Sequence, residues 1–113
     1  LQPLVMLNDP QFVEASRALA VKLLGTSYSS DRDRLTAGFL KVTSRPPVEA
    51  ELATLESSLK RERQRYQSDE TAARELLAIG EVPQASDFPA PEQAAWTQLA
   101  RVLLNTQETI TRY

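Results

Sequence analysis

The sequence predicts an all-α fold, a compact helical bundle of about five helices. Leu and Ala dominate its apolar residues, Gly occurs only three times in 113 residues, and β-branched runs are scarce. That balance favours helix, because Leu and Ala lose little side-chain freedom in one while Val, Ile and Thr lose more. Apolar residues also recur at spacings of three and four between stretches rich in caps, prolines or glycine.

The first helix opens at the polar knot Asn8-Asp9-Pro10. Asp9 or Asn8 suits the N-cap, where a side-chain oxygen accepts from the free N–H groups of the first turn. Pro10 suits the first helical position, since its missing N–H costs nothing there. Phe12, Ser16, Leu19, Ala20 and Leu23 then share one face, and Gly25 is expected just past the end, in the left-handed conformation that stops a helix. Capping explains the knot without a bound ligand, which is the alternative reading.

The turn-rich "TSYSSDRDR" leads into a second helix, roughly Asp31 to Thr43, with Leu35 and Phe39 one turn apart and Leu40 and Val42 beside them. In "SRPPVEAEL", Pro46 pushes Arg45 out of the helical region. Pro47 is expected to open a third helix with Glu49 and Glu51 near its positive end. That helix reaches about Gln67 on a seam of Leu52, Leu55 and Leu59. Its second half, "KRERQRYQ", is almost wholly polar, so it either projects into solvent or leans on something outside this window. Ser68 or Asp69 caps a fourth helix, "ETAARELLAI", whose Ala73, Leu76 and Leu77 face inward and which stops at Gly80. Pro83, Pro89 and Pro91 make "EVPQASDFPAP" a loop. A fifth helix, about Pro91 to Asn105, carries Trp96, Leu99, Ala100 and Leu103 on one stripe, and "TQETITRY" is expected to close the chain as a turn and tail.

Composition narrows the chemistry. With no Cys and no His, thiolate and imidazole catalysis, disulfides, haem attachment and Cys/His zinc sites are excluded within this segment. A metal would have to be a hard cation on carboxylates, and no cofactor is expected. The acid pairs Asp31/Asp33, Glu49/Glu51 and Asp69/Glu70 all fall at helix starts, where the dipole favours them. Ser16 and Ser44 have no imidazole to activate them, and the three glycines are too far apart for a phosphate loop. No apolar run approaches the roughly 18 residues of a membrane span. The chain begins at Leu1, and we read residues 1–113 as a single domain, a C-terminal piece of a longer protein.

Three features stand out as candidates for interaction. Lys60 to Tyr66 carries four cations against one anion, with Arg61 and Arg65 its outer arginines. A basic helix with an aromatic can dock on nucleic acid. The whole chain, however, is at −2, and residues 69–92 hold six acids against one Arg, which argues against nucleic acid and for a solvated helix end. Trp96 sits mid-stripe, a core position, with an interface role as the alternative. Leu4, Val5, Met6 and Leu7 form an apolar run expected to be covered by upstream chain.

A family resemblance spans the chain. "LQPLVMLNDPQFVEASRALA" resembles "PLQ-A-L-V-L-LNDP-FV-EA-R-LA" from a C-terminal domain of large multidomain proteins abundant in planctomycetes, the DUF1553 domain of unknown function. "SRPPVEAEL" is similar to that family's "R-x-P-T-x-x-E-L", and "RYQSDETAARELLAIGE" and "AAWTQLARVLLNTQETITRY" continue the likeness. Pro3 stands where a small residue is usual and Thr109 where an aromatic is common. The resemblance implies no established activity and lends no catalytic residue. It does imply parent proteins with cytochrome-c-like modules and an exported or cell-envelope location, with a link to polysaccharide breakdown. The favoured expectation is a non-catalytic structural or interaction module that packs against the upstream region of its own parent chain through Leu4–Leu7 and the exposed part of the third helix. The alternative is one wall of a composite active site whose haem or metal lies upstream, with Glu14 or Asp9 as supporting groups.

Overall fold

The computed structural model describes residues 10–78 and 88–111, with side chains from 13 to 78 and from 88 to 106. It contains α1 (Pro10–Gly25), α2 (Asp31–Thr43), α3 (Glu49–Ser68), α4 (Glu70–Leu77) and α5 (Ala90–Thr111), and no strand among the described residues. The Cα radius of gyration, 13.5 Å, is close to the roughly 13 Å of a compact 100-residue chain.

The fold is organised around α5. Gln93, Ala94, Ala95, Trp96 and Thr97 are buried in succession, and Leu99, Ala100 and Leu103 follow at 0% exposure. Consecutive burial takes in every side of a helix, so this segment is enclosed rather than laid on a surface. The other four helices all pack on it. Its alanines let them come close, and Trp96, Leu99 and Leu103 fill the space between. Around it sit Val13, Ala20, Leu23 and Leu24 of α1, Leu35 and Phe39 of α2, Leu52, Leu55, Leu59 and Tyr66 of α3, and Ala73, Leu76 and Leu77 of α4. Gly38 lets side chains of α1 and α5 approach the α2 backbone closely. A Cβ there would lie 3.0 Å from Leu23 Cδ1 and 3.1 Å from Leu103 Cδ1.

The helix boundaries follow from their caps. Ser30, in extended backbone, accepts the Asp33 N–H on its hydroxyl at 3.1 Å and opens α2, which runs over the expected residues. It ends at Ser44, whose φ of 66° is left-handed and whose N–H donates to the Leu40 carbonyl at 2.8 Å. The third helix starts two residues later than expected from Pro47. The Glu51 carboxylate accepts the Val48 N–H at 2.9 Å, which makes Val48 the N-cap and leaves Pro46 and Pro47 outside. Asp69 separates α3 from α4, its carboxylate accepting the Ala72 N–H at 3.0 Å. The expected stop at Gly80 and the cap residues Asn8 and Asp9 lie outside the described residues, as does the side chain of Phe12.

Two helix ends are closed by arginines from elsewhere in the fold. Gly25 is the last residue of α1 and does not take the expected left-handed conformation. Arg34 of α2 instead donates from Nε to the Leu23 carbonyl at 3.0 Å and from Nη2 to the Thr26 carbonyl at 3.2 Å. Arg17 of α1, only 3% exposed, donates from Nη1 to the Leu77 carbonyl at the end of α4. A cation at a helix C-terminus meets both the unpaired carbonyls and the negative end of the dipole. The fifth helix also corrects its expectation: it continues past Asn105 to Thr111 instead of ending in a turn and tail. Neither Gly nor Pro interrupts residues 92–111. The polar and β-branched residues there cost only a few tenths of a kcal/mol each in a helix, and the Thr106 hydroxyl donates to the Val102 carbonyl at 2.8 Å.

Candidate functional site

The basic run of α3 does not stand apart in solvent. The seam Leu52–Leu55–Leu59 continues in helical register to Arg63 and Tyr66, and both turn inward. Tyr66 is 2% exposed, and its hydroxyl accepts from Gln98 Nε2 at 2.7 Å. Arg63 is half-buried between the first turns of two other helices. Its Nη1 and Nη2 donate to the two Asp31 oxygens at 2.5 and 2.9 Å. Its Nη2 and Nε donate to Glu92, the shortest contact being 2.6 Å to Oε2. The same Glu92 Oε2 accepts the Trp96 indole N–H at 2.9 Å. One guanidinium thus joins α2, α3 and α5, and the two carboxylates around it are further favoured by the positive ends of the helices that carry them.

The electrostatics match this geometry. Hydrogen bonds from Arg63 hold the Asp31 carboxyl below its usual range, with partial burial opposing them. Arg63 is pushed higher still, first by Asp31 and then by Glu92. A second set of pairs lies alongside. Arg32 reaches Glu49 at 2.6 Å and Glu56 at 2.7 Å. Asp31, Glu56, Leu59, Lys60, Arg63, Gln64 and Gln67 line an open cleft of about 390 Å³. Its cations and anions largely answer one another.

The remaining candidates divide. Arg61 and Arg65 are exposed; Arg61 Nη2 donates to Ser58 Oγ at 3.4 Å, and Arg65 pairs with Glu62 at 3.4 Å while lying 4.9 Å from the Tyr66 ring centre. Trp96 is at 0% exposure, inside the core, with Arg34 5.7 Å from its ring centre. Leu4, Val5, Met6 and Leu7 lie outside the described residues. The acid pairs act at helix starts: Glu51 chelates Arg45 through Nη1 at 3.0 Å and Nη2 at 2.9 Å, and Glu70 pairs with Arg74 at 3.0 Å. Among the described residues no group of three or more carboxylates is placed to hold a metal ion, and no helix is long and apolar enough to cross a membrane.

Sequence reasoning did not single out one surface. The end of α2, the start of α3 and the second half of α5 border a largely apolar groove of about 310 Å³, lined by Phe39, Ala50, Leu55 and Val102 together with Glu51, Thr54 and Thr106. Val102 is 44% exposed there, and Leu40 and Val48 are 47% and 58% exposed. The only sequence signal for it is that Val102 falls off the Trp96–Leu99–Leu103 stripe.

Fold and surface together define an all-α fold, built on one enclosed helix and tied by interhelical arginine–carboxylate bridges, with an open apolar groove. Residues 1–59 match the family described as protein of unknown function (DUF1553), and the chain belongs to that family. The match takes in α1, α2 and the first half of α3. Neither a curated protein nor a solved structure matches this chain.

Proposed function

We propose that this chain is a non-catalytic interaction module that docks on the upstream region of its own parent polypeptide. The observation that carries the reading is the apolar groove with Val102 open on its wall, together with exposed Leu40 and Val48. An apolar surface that stays in water gains about 25 cal/mol for each Å² that a partner covers, whereas the arginines and carboxylates nearby are already engaged within the fold. On this proposal the apolar run Leu4–Leu7 and the exposed arginines Arg61 and Arg65 also serve the docking. In this reading the basic run serves protein contact rather than nucleic acid, because Arg63 is neutralised by Asp31 and Glu92.

Calorimetric titration of the chain with the separately produced upstream region tests it. The expected result is a micromolar or tighter Kd, about −8 kcal/mol or better. Val102→Asp should weaken binding at least tenfold with the thermal midpoint of the chain unchanged, and polar residues at Leu4 and Met6 should weaken it as well. Two folded pieces that fail to bind would overturn the proposal.

A further inference from the structure

We draw no further inference here: the strongest candidate, the apolar groove between α2, α3 and α5 walled by Phe39, Leu55 and Val102, belongs to the site already described, and nothing in the structure shows what covers it.

Discussion

Replacing Arg63 by Met removes a side chain that bridges α2, α3 and α5 while keeping most of its aliphatic bulk. Two carboxylates are then left facing each other without their cation. The Arg63 and Glu92 side chains are 27% and 24% exposed, so this pair lies between the surface and the buried regimes. Exposed pairs are worth about 0–1 kcal/mol, and breaking a buried one costs about 3–5 kcal/mol. Loss of the Glu92 contacts is therefore set at about 1.5 kcal/mol between those limits. Asp31 is 41% exposed, and its share, discounted for solvent screening, is about 0.5 kcal/mol. The total of about 2 kcal/mol corresponds to a fall of roughly 8 °C in thermal midpoint for a domain of this size. Urea unfolding followed by far-UV circular dichroism measures the free energy. Trp96 fluorescence gives a second probe, since the sole tryptophan donates to the same Glu92 oxygen. Combining Arg63→Met with Glu92→Gln should recover part of the loss by removing one uncompensated charge. A cost below about 0.5 kcal/mol, with no change in the tryptophan emission, would refute the reasoning and place the bridge among ordinary surface pairs.

Other changes probe the backbone and the core. Ser44→Gly should stabilise the chain by about 0.5–1 kcal/mol, because the left-handed conformation at this position penalises any residue with a Cβ; an unchanged urea midpoint would count against strain there. Gly38→Leu should cost about 1–3 kcal/mol by forcing apart α1, α2 and α5, read as a lower urea midpoint at constant slope. The acid limb of stability has a defined part. Arg45 and then the Val48 N–H hold the Glu51 carboxyl at about 2 against an ordinary 4.5, so its contribution is full above pH 4.5 and is lost as pH falls towards about 2. Glu51→Gln should flatten that part of the stability–pH curve, and salt should flatten it in the unsubstituted chain, because the pair is open to solvent.

The helices were legible where local chemistry decides them. Residues 31 to 43 could be bounded from the turn before and the prolines after, and the seams Leu52–Leu55–Leu59 and Trp96–Leu99–Leu103 needed only a helical period. Arg63 and Tyr66 lie on the same period as Leu59, yet their polarity hid them. A long side chain can bury its stem and still satisfy its head, and the heads here are satisfied by residues about thirty positions away. Arg34 and Arg17 were hidden for the same reason, since each closes the end of a helix that is not its own. Nothing local to Gly25 reveals that Arg34 will replace the glycine's usual task. The late end of α5 went unseen because Thr and Asn are weak helix formers but not breakers. The groove was illegible because it is an absence of cover, set by how three helices diverge.

The enclosed position of α5 also bears on the order in which this chain can complete its packing during synthesis. The helix on which the other four converge is made after them. At about 5–20 residues per second, roughly 4 to 17 s separate completion of α1 from completion of α5. Until α5 is made, whichever of α1 to α4 have already been synthesised lack their common support. The native packing of the earlier residues is completed only when the later ones arrive.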